Sequence, residues 1–280
     1  MALRPLTAKL TISSSRYYHK MADHNLRIAC LEPAATQVCL ALGLASNIVG
    51  ITHECKLDRI REALLETDNN TNKNKTNEPA EEIYILTKSG LDEGASQAEI
   101  HEAVDEEGKR RMQEEAAFDD DNDDRNDFPV SSLYPLVRSE WDKARPNLVF
   151  TQDLCAVCAP TPLDVQRMTK ASSSHHNDGK DQQSPTVVSL QPKTLAEVAE
   201  TFITVANHCF PQEILESNSH PGKELKDVFW RDITTLQTAI EIHRSQALPK
   251  PRVLMLEWLV RHVFCKETMN VVCLSQLQYS

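Results

Sequence analysis

Four short apolar runs constrain what this chain can fold into. They are Leu26-Arg27-Ile28-Ala29-Cys30-Leu31, Ile48-Val49-Gly50-Ile51, Leu148-Val149-Phe150 and Thr186-Val187-Val188-Ser189-Leu190. Each has the length and residue types of a strand and is bounded by polar or turn-forming residues. Between the first two lies a helical pattern, with Ala35, Val38, Cys39 and Leu42 on one face. Pro33 suits its first turn and Gly43 its stop. Strand–helix–strand of this length is a right-handed βαβ unit. The chain is expected to be an α/β protein built on a parallel sheet.

The third run carries the chemistry. Arg145-Pro146-Asn147 breaks the chain before it, and it ends as Thr151-Gln152-Asp153-Leu154-Cys155-Ala156-Val157-Cys158 begins. In an open α/β sheet, ligands bind beyond the carboxyl ends of the strands. Two thiols there can hold a soft metal, form a redox pair or simply pack. The second run ends at Thr52-His53-Glu54-Cys55, another cluster of ligand-type residues. His53, Cys55, Cys155 and Cys158 together are one imidazole and three thiols, a set suited to zinc or another thiophilic metal. The Cys-x-x-Cys spacing is also that of a thiol-redox pair. The structural alternative is semi-buried thiols, with His53 hydrogen-bonded to its own loop.

Composition removes several function classes. The chain has 41 acidic and 30 basic residues, net −11, which argues against a nucleic-acid partner. Glu102 to Asp127 holds twelve Asp or Glu against four Lys or Arg, so most of that charge is local. Such a block is expected to be a solvated insert. The eight cysteines are irregularly spaced in a long chain, which argues against a disulfide scaffold, and Cys30 and Cys39 sit in apolar patterns as buried small residues. With seven glycines, no P-loop or dinucleotide fingerprint is present, and no Ser/His/Asp triad stands out. No stretch is long and apolar enough to span a membrane. The first 22 residues carry Arg4, Lys9, Arg16, Lys20 and Ser13-Ser14-Ser15 with no acidic residue, a composition that resembles an organelle transit peptide. A cytoplasmic or organellar location is therefore expected rather than a secreted one.

The remaining segments give further elements. Residues 68–79 are Asn- and Lys-rich and read as a surface loop. Ile83 to Leu86 reads as a strand, and Leu91 to Val104 and Leu133 to Ala144 as helices. His175 and His176 fall in a polar loop. Thr194 with Glu197 forms a capping box that opens a helix reaching about Cys209. Leu225 to Ala247 is the longest helical pattern, with Val228, Phe229, Ile233, Leu236 and Ile240 on its apolar side. Arg252 to Leu256 reads as a last strand, ending at Glu257-Trp258. Trp258 is placed either against a flat ligand or in the core. Glu32 follows the first strand and faces either cleft or solvent.

Several blocks, taken in order, carry a family resemblance. They are Arg27-Ile28-Ala29-Cys30-Leu31-Glu32-Pro33-Ala34-Ala35-Thr36, Ile48-Val49-Gly50-Ile51-Thr52-His53-Glu54-Cys55, Arg145 to Cys158, Val187-Val188-Ser189-Leu190-Gln191-Pro192 and Arg252-Val253-Leu254-Met255-Leu256-Glu257-Trp258-Leu259. Together they resemble the cobalamin/iron-chelate substrate-binding family associated with ABC importers, in its branch with a His-Glu-Cys and a Cys-x-x-Cys block.

The resemblance implies two Rossmann-like α/β lobes joined by a long helix, with a corrinoid or related metal chelate held between them. Lobe one would span 26–170, with insertions at 67–80 and 102–130, after a disordered or targeting segment 1–25. A loop at 171–185 would lead to the start of lobe two at 186–259, containing the spanning helix 225–247. Residues 260–280 form a divergent tail, and the second lobe is expected to be incomplete. The implied role is non-catalytic binding, for uptake or intracellular carriage, with a membrane transporter as the implied partner. His53, Glu54, Cys55, Asp153, Cys155, Cys158, Glu257 and Trp258 would line the ligand site. His53 or a thiolate could then be an axial ligand of the corrinoid cobalt.

Overall fold

The computed structural model describes residues 22, 25–68, 82–116, 133–155, 157–173, 184–217 and 219–245. Five strands form one sheet: β1 (Ile28–Cys30), β2 (Ile48–Ile51), β3 (Tyr84–Ile85), β4 (Leu148–Thr151) and β5 (Thr186–Ser189). All pairings are parallel and the order is β3-β2-β1-β4-β5. Every strand therefore delivers its following loop to the same edge.

Side-chain alternation along the strands makes two cores. Ile28, Cys30, Leu148 and Phe150 face one side, and Ala29, Leu31 and Val149 face the other. The first face is covered by α1 (Pro33–Ala41), α2 (Leu57–Asp68) and, later in the chain, α6 (Leu195–Cys209). The second is covered by α4 (Arg138–Ala144) and α5 (Pro162–Ser173), through Trp141, Ala144, Val165 and Met168. The chain thus winds outward from β1 with helices on one face, then outward from β4 with helices on the other. The topological switch point lies between β1 and β4.

Local signals account for several helix boundaries. Pro33 occupies the first turn of α1, and Gly43 follows it with φ +80°. Thr194 caps α6, its Oγ1 accepting from the Glu197 N–H at 3.2 Å. Cys30, Cys39 and Cys209 are all buried, with the Cys30 and Cys39 sulfurs 3.9 Å apart. The hydrogen bond toward Cys39 and burial both push the Cys30 thiol up, and burial pushes up the Cys209 thiol. These thiols stay protonated and pack as small apolar groups.

The structure corrects several expectations. Thr186–Ser189 does not open a second sheet: it pairs with β4 in register Leu148↔Thr186 to Thr151↔Ser189. The acidic block is not wholly a loop, because α3 (Gln97–Ala116) runs through its first half. A capping box starts that helix. Ser96 Oγ accepts from the Glu99 N–H, and Glu99 Oε2 accepts from the Ser96 N–H at 2.7 Å. The helix expected over Leu133 to Ala144 begins only at Arg138, since Leu136 is held extended in a bridge to Thr87. The long helix starts at Pro221, not Leu225: α8 is Pro221–Ser245, after the single turn α7 (Gln212–Leu215). Gly222 permits that start, because a Cβ there would lie 2.6 Å from the Phe202 carbonyl oxygen of α6.

A buried ionic cluster explains why α3 persists into so charged a sequence. Glu107 is 2% exposed, and Arg111 bridges it at 3.0 Å to Asp164 of α5 at 2.8 Å. Arg110 also pairs with Glu107, at 2.6 Å. Asp164 Oδ2 further accepts from the Thr161 N–H and Oγ1, capping α5. Removing the shared cation takes the Arg111 partner from buried Asp164 and leaves Glu107 with Arg110. Arg111→Met is expected to lower unfolding free energy by about 3–5 kcal/mol, measured as a shift in the urea midpoint at constant slope.

Candidate functional site

The sheet brings three loops to its carboxyl edge, in the order His53 loop, Glu32 loop, Cys-x-x-Cys loop. Because β1 stands between β2 and β4, the outer two loops are two strand spacings apart, about 10 Å. Among the described residues, no three His, Cys, Asp or Glu side chains converge as a metal site. The expected set of His53, Cys55, Cys155 and Cys158 is not assembled as one donor group. Strand order gives the reason, and partner choice reinforces it.

His53 turns toward β3. Its Nδ1 lies 2.8 Å from Thr87 Oγ1, and its backbone N–H donates to the same oxygen at 3.1 Å. The ring stacks on Tyr134 with centroids 5.6 Å apart. Its Nε2 lies 3.3 Å from Glu54 Oε1, but off the line of a hydrogen bond, so this buried nitrogen has no hydrogen-bond partner. Glu54 itself is exposed. Cys55 turns toward α1: its sulfur contacts Thr36 Oγ1 at 3.2 Å and Thr52 Oγ1 at 3.3 Å.

Cys155 and Cys158 are joined by a disulfide, with Cα atoms 5.3 Å apart. Gln152 shapes this loop. Its Oε1 accepts from the Leu154 and Cys155 N–H groups at 2.7 and 2.9 Å, and its Nε2 donates to the Cys155 carbonyl at 2.7 Å. Thr151 Oγ1 donates to the Pro160 carbonyl and closes the loop base. Asp153 is exposed beside it. Glu257 and Trp258, together with the strand expected at Arg252 to Leu256, lie outside the described residues.

Sequence reasoning passed over Thr87, Tyr134 and Gln152. Gln152 had a readable signal: an amide side chain directly after a strand can satisfy the loop N–H groups that leave the ladder. Thr87 and Tyr134 come from segments far from His53 in sequence, and only the fold joins them.

Glu32 occupies the cap position of α1 but makes no side-chain cap bond. Burial pushes its carboxyl up to about 7. No family model, curated protein or solved structure matches the chain.

A carboxyl with a raised folded pKa holds its proton more tightly in the native state. The native state therefore loses stability as pH rises from the ordinary carboxylate range through about 7. Glu32→Gln is expected to remove that slope. The gain above neutral pH should be about 1–2 kcal/mol after discounting for partial exposure, with little gain in mild acid. Urea unfolding at a series of pH values measures it.

Proposed function

We propose that the chain binds a corrinoid or related metal chelate across the carboxyl edge of its sheet, without catalysing a reaction. The observation that carries this reading is His53. Its Nδ1 is fixed by Thr87, its ring is steadied by Tyr134, and its buried Nε2 makes no hydrogen bond, with the Glu54 carboxylate 3.3 Å away. An imidazole oriented through one nitrogen, with no hydrogen bond at the other, resembles a histidine set to ligate a metal. A buried polar atom without a partner also carries a cost that a ligand bond would relieve.

The distance between the loops favours a broad ligand over a bare ion. Two loops about 10 Å apart cannot close on one zinc, whereas a macrocycle can touch both. The class of macrocycle follows from the resemblance of these loops to the cobalamin-binding branch. In this reading a second lobe covers the ligand, and α8 carries it. Leu225 and Phe229 of α8 pack toward the core, and Leu236 and Ile240 continue the same helix face at 46% and 51% exposure. A role in carriage inside a cell or organelle, or in delivery to a membrane transporter, belongs to the same proposal.

Titration of the purified chain with hydroxocobalamin tests this. Saturable binding with a change in corrin absorbance is expected. His53→Ala should abolish the absorbance change, and Thr87→Val should weaken affinity about tenfold by releasing the ring. A wild-type chain that leaves the corrin spectrum and heat signal unchanged would sink the reading.

A further inference from the structure

The Cys155–Cys158 disulfide is built unequally at its two ends. Cys158 is exposed, while Cys155 is half-buried. The Cys155 backbone is clamped on both sides by Gln152, which is itself 7% exposed and follows directly on β4. The Cys155 carbonyl also accepts from the Cys158 N–H at 3.1 Å. The loop is therefore held by amide bonds that do not involve sulfur. Opening the disulfide leaves that scaffold in place. Next to it, Leu154 is 41% exposed and Asp153 is exposed, so one side of the loop stands open to solvent.

Disulfide exchange requires a thiolate to reach one sulfur while the other leaves, and access decides which sulfur is attacked. Here access favours Cys158. The only other cysteine described on this edge, Cys55, is occupied with Thr36 and Thr52. The pair is thus placed to exchange with a thiol arriving from solvent.

We propose that the chain carries out thiol–disulfide exchange with small solvent thiols of the glutathione class, entering at Cys158, and that reduction gives the crevice site two sulfur donors for its ligand. A thiolate attacks Cys158 Sγ. The Cys155–Cys158 bond breaks and its electron pair leaves on Cys155 Sγ, giving a mixed disulfide at Cys158. A second thiolate attacks the sulfur of the small thiol in that mixed disulfide, releasing the small-molecule disulfide and the Cys158 thiolate. The protein gains two electrons and, on protonation, two protons; two small thiols are oxidised. The second half of the proposal rests on the ligand reading above. The reduced loop presents two sulfur donors at the edge where the chelate would sit, and the oxidised loop presents none.

The full chain is equilibrated in glutathione buffers of graded ratio, alkylated, and read by mass spectrometry. The expected result is a reversible two-electron transition confined to Cys155 and Cys158. Cys155→Ser should collect the glutathione adduct on Cys158 at least about tenfold faster than Cys158→Ser collects it on Cys155, as access dictates. A pair indifferent to the glutathione ratio, or an adduct that forms faster on Cys155, overturns the exchange. Oxidised and reduced protein, each freed of glutathione, are then titrated with hydroxocobalamin. Tighter binding by the reduced form is expected, and equal binding by both overturns the gating. Absence of binding in both states removes the ligand reading and the gating with it, but leaves the exchange standing on its own measurement.

Discussion

The pairing of β1 on both sides is the constraint on which the rest depends. Ile28–Cys30 is fully buried and is hydrogen-bonded in parallel to β2 on one flank and β4 on the other. A three-residue strand in that position fixes three things at once. It sets the direction of all five strands, divides the helices between two faces, and places the switch point beside its own carboxyl end. The Glu32 turn, the His53 loop and the Cys-x-x-Cys loop gather at one edge because parallel strands leave them no other. The same pairing keeps the outer two loops apart, since β1 must lie between them.

That separation bears on chemistries that composition alone leaves open. One imidazole and three thiols are a good zinc set only if they meet. Here His53 is drawn toward Thr87, Cys55 toward Thr36 and Thr52, and the last two sulfurs bond to each other. What remains is an edge with an oriented imidazole on one side and a disulfide on the other. Burial of Glu32 between them adds a carboxyl held neutral well above its ordinary range.

The strands were legible in the sequence because each is a short, uninterrupted apolar run ending in polar residues, and so were the helix ends marked by Pro33, Gly43 and Thr194. Whether β5 joins the first sheet was not legible, because an edge strand with one well-buried residue carries no mark of its partner. The acidic block misled because charge density ordinarily signals solvation. Burial of Glu107 is stabilised by Arg110 and Arg111, and Asp164 lies far away in sequence. The S-x-x-E box at Ser96 was in plain view and marks that helix start. At the site, residue identity showed where chemistry sits, but partner choice depended on contacts such as His53 with Thr87 that only the folded sheet creates.

The proposed ligand site is the carboxyl edge beside the β1–β4 switch point. Hydrogen–deuterium exchange of the full chain with and without hydroxocobalamin tests it most directly. Binding at this edge should slow exchange in the segments around 31–36, 52–55 and 152–158, with the amino ends of the same strands unchanged. Protection confined to other surfaces, or none in these three loops at saturating ligand, would contradict it.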